Sequence, residues 1–126
     1  MSEATGRILV TRTYLEGCLL LLLAESPGHG YELAERLAEF GLDTIDNGAV
    51  YRALRSLAGE GLVECRWEIS DRGPTRRPYC INGEGVESLR SRAGAIEDSS
   101  RMLSAFTARL RWLEPAGAKA RERRTA

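Results

Sequence analysis

Apolar residues recur at helical spacing in four stretches of the chain, and they alternate with polar residues between the third stretch and the fourth. This pattern predicts helices over about 13–25, about 29–40 and about 47–59, a β-hairpin over about 62–81, and a long helix from about residue 86 to just before Pro115. Turn-forming residues separate these segments: Ser26-Pro27-Gly28, Gly41, Gly59 and Gly61. Gly41 is expected to cap the second helix, whose predicted inner face is Leu33, Ala34, Leu37 and Phe40. The predicted fold class is mainly α with a small β-hairpin.

The first predicted helix contains an uninterrupted apolar run from Cys18 to Ala24. A membrane-spanning helix needs about 20 apolar residues, and a signal peptide needs a small-residue cleavage site, which does not follow here. Glu16 precedes the run, and periodic structure continues directly after it. We therefore predict a helix that is buried on most of its sides, no membrane association, and a cytoplasmic protein.

The third predicted helix has an apolar stripe and an opposite face that carries arginine but no carboxylate. The stripe consists of Val50, Leu54, Leu57 and Ala58, and the opposite face carries Arg52, Arg55 and Ser56. Asp46 or Asn47 can cap this helix by accepting a hydrogen bond from its exposed amides. The opposite face is either an ordinary solvated surface or one that meets an anionic partner, and the absence of acidic residues favours the partner.

The composition excludes a protein that is basic throughout, because 18 lysine and arginine residues balance 18 aspartate and glutamate residues. The balance leaves room for a local basic patch. Lys119 is the only lysine, so guanidinium groups carry nearly all of the positive charge. These planar groups bind phosphate or guanine through two hydrogen bonds, which suits contact with nucleic acid.

The segment after the third helix alternates as a half-buried strand does, and a second short strand follows at about 77–81. Pairing Trp67 with Tyr79 and Cys65 with Ile81 would place the apolar side chains on one face, so we predict this register. A Gly-Pro pair marks the turn, and three arginines lie on or beside it: Arg72, Arg76 and Arg77. Such a tip is either simply polar or a contact for a phosphate backbone or minor groove.

No catalytic or metal-binding group of residues is evident in the sequence. The only histidine, His29, stands at the start of the second helix, where a structural or capping role is the simpler interpretation. Cys18, Cys65 and Cys80 form no CxxC or Cys/His cluster, so neither a disulfide framework nor a zinc site is expected. We predict no enzyme activity and no cofactor, with a thiol-based redox sensor as a weaker alternative.

The long helix has a heptad-like apolar seam whose residues step by three and four from Val86 to Leu110. A helix of this length spans on the order of 40 Å, whereas the domain before it spans only about 25–30 Å. Its far half cannot bury the seam within one chain, and a second copy is the simplest cover. The residues expected at this dimer interface are Leu89, Ala93, Ile96, Leu103, Phe106 and Leu110.

The order helix, helix, helix, strand, wing, strand and long helix is that of a winged helix-turn-helix DNA binder. At residue level the chain resembles the PadR family of bacterial transcriptional regulators, in the subgroup with a single short C-terminal helix. The resemblance rests on residues 29–33 (HGYEL), 48–57 (GAVYRALRSL), 59–63 (GEGLV), 66–68 (RWE) and 81–85 (INGEG). Two residues depart from the family pattern: Arg52 stands where proline is common, and Asn82 stands where threonine usually opens the last helix.

The resemblance implies a sequence-specific regulator of transcription, most simply a repressor. It would bind an inverted-repeat operator in double-stranded DNA as a homodimer and respond to a small molecule. The predicted domains are a winged helix-turn-helix over 1–82, a dimerisation helix over 83–114 and a disordered tail over 115–126.

The third helix would enter the major groove, where arginine pairs with guanine O6 and N7. The residues expected to contact DNA are Asn47, Gly48, Tyr51, Arg52, Arg55, Ser56, Thr75, Arg76 and Arg77. The alternative is a protein-interaction adaptor with the same fold and no DNA binding. The balanced net charge favours the adaptor, and the arginine face of the third helix opposes it.

Overall fold

The computed structural model describes residues 11–65, 67–70, 73–76 and 78–125, and it describes the backbone alone for 67–70, 73–76 and 115–125. The elements in these residues are α1 (Arg12–Glu25), α2 (Gly30–Arg36), α3 (Asn47–Gly59), β1 (Val63–Glu64), β2 (Trp67–Ser70), β3 (Gly73–Arg76), β4 (Cys80–Ile81) and α4 (Gly83–Thr125). The fold is mainly α with small antiparallel strand pairs, which confirms the predicted class. One compact unit ends at Ala93, within α4, and a second begins at Gly94.

α1 lies at the centre of the core of the first unit. Thr11 caps it, because the Thr11 Oγ1 atom accepts a hydrogen bond from the Tyr14 N–H at 3.1 Å. The leucine-rich run is buried on most sides, as predicted, and its exposed exceptions are Leu21 and Ala24. No helix within the described part of the chain is long and apolar enough to cross a membrane.

α2 ends at Arg36, and the chain continues as a 3-10 helix over Leu37–Phe40, so the predicted second helix has a tighter last turn. Gly41 then takes up a left-handed conformation with φ of 79°, and the Leu42 N–H donates to the Leu37 carbonyl at 3.1 Å. This geometry confirms Gly41 as the cap. The predicted inner face is also confirmed, because its residues are buried or packed against the core: Leu33, Ala34, Leu37 and Phe40.

α3 ends in the same kind of turn and leads directly into β1. Gly61 has φ of 77°, and the Leu62 N–H donates to the Leu57 carbonyl at 3.0 Å. The buried face of α3 consists of Val50, Ala53, Leu54 and Leu57. Ala58 is exposed, so the predicted stripe is wrong at that position. At 3.6 residues per turn, Ala53 and Ala58 lie at opposite edges of this face, so the periodicity does not separate them and packing against the core decides that Ala53 is the buried one.

The β-hairpin has a different register from the predicted one. β1 pairs with β4 through Val63–Ile81 and Glu64–Cys80, and β2 pairs with β3 from Trp67–Arg76 to Ser70–Gly73. The predicted partner of Ile81 is therefore wrong by two residues, and that of Trp67 by three. β3 begins at Gly73, whereas the predicted second strand begins at about residue 77, so the paired strands extend further than predicted.

A contact with the segment before α2 explains this register. The Tyr79 N–H donates to the Gly28 carbonyl at 2.8 Å, and the Gly28 N–H donates to the Tyr79 carbonyl at 3.2 Å. Pro78, the residue before Tyr79, has no N–H for a neighbouring strand. Because side chains alternate with a period of two, the shift at Ile81 leaves the apolar face as predicted. Val63 and Tyr79 are buried, and Cys65 and Ile81 pack against the core.

α4 is fastened at its start to the turn that follows α3. The Asn82 Oδ1 atom accepts a hydrogen bond from the Gly85 N–H at 2.8 Å, which confirms that Asn82 caps this helix. The Asn82 Nδ2 group also donates to the Gly61 carbonyl at 2.7 Å. A Cβ atom added at Gly85 would lie 2.2 Å from the Leu62 carbonyl oxygen, so only glycine allows this close packing.

α4 continues through Pro115 to Thr125. The predicted end before Pro115 is therefore wrong, and residues that were predicted to form a disordered tail are helical. Proline disfavours a helix interior because it lacks an N–H. The residues that follow it are mostly alanine, lysine, arginine and glutamate, which are strong helix formers and continue the helix.

Candidate nucleic-acid interface

The outer face of α3 brings together six of the residues that the sequence predicts to contact DNA. Tyr51, Arg52, Arg55 and Asn47 are exposed, and Gly48 and Ser56 are half-buried. The buried face of α3 packs on the core, so it fixes the direction in which this outer face points. Two guanidinium groups and one phenol thus share a single helix surface.

A carboxylate lies next to this face, at the start of α3. Asp46 occupies the N-cap position, but its side chain accepts no hydrogen bond from the helix, so the expected capping by Asp46 is wrong. Its Oδ2 atom instead lies 3.8 Å from an Arg52 guanidinium nitrogen. A guanidinium charge attracts the carboxylate, and both side chains are exposed. Such a pair contributes about 0–1 kcal/mol, so an anionic ligand can replace Asp46 at little cost.

Aromatic side chains extend the surface from α3 to the start of α2. The Tyr51 ring lies against Gly30, and the ring of Tyr31 stacks on His29 with centroids 5.7 Å apart. His29 occupies the N-cap position of α2, as predicted, and its backbone N–H donates to the Glu32 Oε1 atom at 2.9 Å. Tyr31 is 61% exposed. Sequence reasoning gave Tyr31 no role, although it lies in the HGYEL motif.

Arg12, the first residue of α1, also reaches α3. Its Nε group donates to the Glu16 Oε2 atom at 2.8 Å, and its Nη2 group donates to the Ser56 Oγ atom. The hydrogen bond to Glu16, with the charge of that carboxylate, raises the pKa of Arg12. The sequence contains a signal for the Arg12–Glu16 pair, which is spaced by one helical turn. It contains none for the contact with Ser56, which is distant along the chain.

A groove of about 450 Å³ lies between α1 and α3. Apolar side chains such as Leu15 and Ala53 line it together with the polar side chains of Arg12, Arg52 and Ser56. Arg12 and Arg52 each have most of their side chain exposed. Two guanidinium groups therefore border the same side of α3, each beside one carboxylate of its own chain, Glu16 and Asp46.

Part of the predicted interface lies on the wing, the hairpin that β2 and β3 form. Thr75 and Arg76 lie on β3, and Arg76 pairs with Trp67 at the end of the ladder that is farthest from the turn. The expectation that Arg76 lies on or beside the tip is therefore wrong. Arg72 and Arg77 lie outside the described residues.

The predicted dimerisation residues fall into two groups along α4. Leu89, Ala93 and Ile96 are half-buried, and Leu89 packs against the core of its own chain. The other three are exposed: Leu103, Phe106 and Leu110. Met102 and Leu113 on the same stretch are exposed as well.

The cysteines differ in exposure. Cys18 is buried, Cys65 is half-buried and Cys80 is exposed. Burial raises the pKa of the Cys18 thiol, which keeps it protonated near neutral pH. Among the residues that the structure describes, no three histidine, cysteine or acidic side chains are grouped so that they could hold a metal ion.

Comparison with known proteins identifies the family. The sequence profile described as "Transcriptional regulator PadR-like family" matches residues 19–91, more than half of the chain. The chain belongs to the PadR-like family. A PadR-like transcriptional regulator from Bacillus cereus is 29% identical to it, with a TM-score of 0.62 over 73% of this chain and 89% of its own.

Two further solved structures support the assignment. A transcriptional regulator from Streptococcus is 29% identical, with a TM-score of 0.63 over 75% of this chain and 93% of its own. A protein described as a conserved protein of unknown function and potential transcriptional factor is 35% identical, with a TM-score of 0.65 over 79% of this chain and 90% of its own. A comparison with curated proteins gave no match.

This PadR-like chain is therefore a winged-helix transcriptional regulator and not an enzyme, which confirms the resemblance found in the sequence. The matched residues 19–91 include all of α2, α3 and the hairpin. The matched part thus includes the whole outer face of α3.

Proposed function

We propose that this protein is a homodimeric repressor that binds an inverted-repeat operator and is modulated by a small molecule. The observation that carries the proposal is the joint exposure of Tyr51, Arg52 and Arg55 on a helix whose other face is locked into the core. A rigid helix with guanidinium groups on its outer face can enter a major groove and pair with guanine.

The start of α3 supports a phosphate contact. The first amides of a helix have no partner within the helix, and the helix dipole gives that end a partial positive charge. The Asp46 side chain does not cap these amides, so the amides of Asn47 and Gly48 are available to a phosphate oxygen. Tyr51 stands one turn further along with its ring exposed in part. We assign these three residues to the DNA backbone, and Arg52, Arg55 and Ser56 to the base edges.

We assign the hairpin to the adjacent backbone. Thr75 and Arg76 belong to β3, and Arg77 follows directly in the sequence. A hydroxyl and guanidinium groups are the side chains that most often bind phosphate. The contact would lie along the strand ladder, since Arg76 pairs with Trp67 and not with a residue at the turn.

The dimer is supported by apolar side chains on the second unit. Met102 is 73% exposed and Phe106 is 68% exposed, and Leu103 and Leu110 lie on the same side of α4. A row of large apolar side chains in water is typical of an interaction surface. A second copy of α4 would cover it, with Leu89, Ala93 and Ile96 extending the interface. A two-fold dimer of this fold requires half-sites about 34 Å apart.

Repression and modulation by a small molecule rest on the family alone, and no described residue identifies the ligand. A DNA-binding regulator acts where the chromosome is, so we place this protein in the cytoplasm.

The test is operator selection from the organism's genomic DNA, followed by binding measurements by fluorescence anisotropy. Double replacement of Arg52 and Arg55 by alanine should weaken operator binding by at least about 30-fold and reduce its salt dependence. The matched control replaces Arg36 and Arg90 by alanine, which removes the same charge at exposed positions away from α3. Equal operator binding by the two double variants would contradict the contact assignment. No DNA binding by the unmodified dimer at low salt would favour the adaptor.

A further inference from the structure

Arg12 connects a buried carboxylate to the recognition surface. Its Nε group donates to Glu16, whose side chain is only 3% exposed, and its Nη2 group donates to the Ser56 hydroxyl on α3. The rest of the Arg12 side chain is open to solvent. One guanidinium group thus spans α1 and α3.

The carboxylate that holds Arg12 is itself held from the other side. The Arg92 Nη1 group donates to the Glu16 Oε1 atom, and Arg92 is also largely buried, with 17% of its side chain exposed. Arg92 further lies 4.0 Å from a carboxylate oxygen of Glu60, just after α3. A buried carboxylate with a partner on each oxygen has little freedom to rotate, so it fixes the position of Arg12.

The chemistry of the two groups decides which way the Ser56 proton points. A guanidinium group carries donors only, whereas a serine hydroxyl has one hydrogen and two lone pairs. Ser56 must therefore accept from Arg12 through one lone pair, which leaves its hydrogen and its second lone pair on the sides away from Arg12. The positive charge of Arg12 polarises the hydroxyl and makes it a stronger donor and a weaker acceptor on those sides. We propose that Arg12 is a positioning residue that makes Ser56 a hydrogen-bond donor towards the DNA; this rests on the proposed function, in which Ser56 faces a base edge.

This arrangement determines which bases Ser56 can accept. In the major groove, guanine N7 and O6, adenine N7 and thymine O4 are acceptors, whereas cytosine N4 is a donor. A hydroxyl that donates more strongly than it accepts discriminates against cytosine at the base that it faces. Without Arg12, the hydroxyl accepts from cytosine N4 as readily as it donates to the other bases, so the discrimination at that one base pair falls.

The test compares the binding of single-base-pair variants of the selected operator by five variant proteins, one of which combines the first two changes named below. Arg12→Met removes the donors and keeps the apolar stem, and Ser56→Ala removes the hydroxyl. Arg12→Lys retains a group with donors and no acceptor, so it should rescue the preference. Arg36→Met is the matched control, because Arg36 also donates two side-chain hydrogen bonds but lies on α2 and donates them to Glu25 and Glu39.

We expect the unmodified protein to reject cytosine at one base pair of each half-site by roughly tenfold. Arg12→Met and Ser56→Ala should both reduce this factor to about twofold at the same base pair, and the double variant should be no worse than Ser56→Ala. Arg12→Lys and Arg36→Met should retain the preference. Thermal unfolding of each variant separates this effect from a loss of fold.

Three results would overturn the inference alone. In the first, Arg12→Met weakens binding to every sequence by the same factor and lowers the salt slope, as a direct phosphate contact would. In the second, Arg12→Met and Ser56→Ala alter different base pairs. In the third, the unmodified protein rejects cytosine at one base pair, and Arg12→Met rejects cytosine there by the same factor. The proposed function fails as well only if the unmodified protein does not distinguish any selected fragment from random DNA. This result differs from the three above, so failure of the inference can be told apart from failure of the proposed function.

Discussion

The Tyr51 ring lies so close to Gly30 that a Cβ atom added at Gly30 would be 2.4 Å from the Tyr51 Cε1 atom. The first residue of α2 thereby sets the position of a phenol on the outer face of α3. Gly30 does not have a positive φ, so alanine fits its backbone and conflicts only with the ring. Tyr51 is 37% exposed and has room to move outwards.

Gly30→Ala should therefore displace Tyr51 and weaken operator binding severalfold, with only a small change in thermal stability. Gly83→Ala is the matched control, because Gly83 is also the first residue of a helix and has open space around its added Cβ. In the Tyr51→Ala background, Gly30→Ala should have no further effect on the affinity. An additional loss in that background, measured by anisotropy, would show that the glycine acts by another route.

Asn82 should stabilise the protein through both ends of its amide. The Oδ1 atom caps α4 at Gly85, and the Nδ2 group donates to Gly61. Asn82→Ala removes both bonds and should lower the free energy of unfolding by about 2 kcal/mol in urea titrations. Asn82→Thr keeps a side-chain cap but lacks the amide donor, so it should lower the free energy of unfolding by about half as much as Asn82→Ala does. Equal losses in the two variants would mean that the bond to Gly61 contributes all of the stabilisation.

Phe106→Glu should dissociate the proposed dimer. A carboxylate at this exposed apolar position would be buried without a partner when the second copy binds, which costs several kcal/mol. Sedimentation velocity should show a folded monomer, and operator binding should fall with it. Ala108→Glu is the matched control, since it introduces the same charge on the opposite side of α4. An unchanged dimer in Phe106→Glu would remove this stretch from the interface.

The thiols should react in the order of their exposure. Cys80 is exposed and Cys18 is buried with a raised pKa, so less of Cys18 is thiolate at any given pH. An aromatic disulfide reagent at pH 8 should modify Cys80 first and Cys18 only after unfolding. DNA binding should be unchanged by modification of Cys80, and Cys80→Ser is the control for the assignment. Loss of operator binding on mild oxidation, absent in Cys80→Ser, would support the redox-sensor alternative.

The raised pKa of Cys18 also gives the direction of a pH effect. The folded state holds this proton more tightly than the unfolded chain does. The stabilisation is complete below the ordinary thiol pKa near 8.5 and is lost as the pH rises from there through the raised folded pKa. Tyr14 shifts in the same direction, because burial raises its pKa as well. Both groups therefore predict lower stability in alkaline solution.

Much of the candidate site could be predicted from local sequence. The spacing of apolar residues in α3 is sufficient to place Arg52 and Arg55 on the outer face, because a helix has a fixed angle per residue. Tyr31 and Arg12 were not found in this way. Their places at the surface depend on the packing of α1 and α2 against α3, and the sequence around each of them contains no sign of that packing.

In the hairpin, the faces of the strands follow from nearby residues, whereas the pairing of the strands depends on a distant contact. The alternation of side chains survives the shift of two residues at Ile81, because it correctly places four side chains against the core: Val63, Cys65, Tyr79 and Ile81. It does not predict the partner of each residue, because the backbone of Tyr79 pairs with Gly28, far away in the sequence. Similarly, the sequence offers Asp46 as a cap, and the folded chain places it beside Arg52.

The sequence by itself determined the helices, the apolar faces, the cap at Asn82 and the family, since each depends on residues that are close together along the chain. The tertiary structure decided the hairpin register and the network that joins Arg12, Glu16, Arg92 and Ser56. These contacts join distant segments, and their geometry is fixed only when the core brings α1, α3 and the start of α4 together. Periodicity and spacing describe one segment at a time, so they contain no information on such contacts.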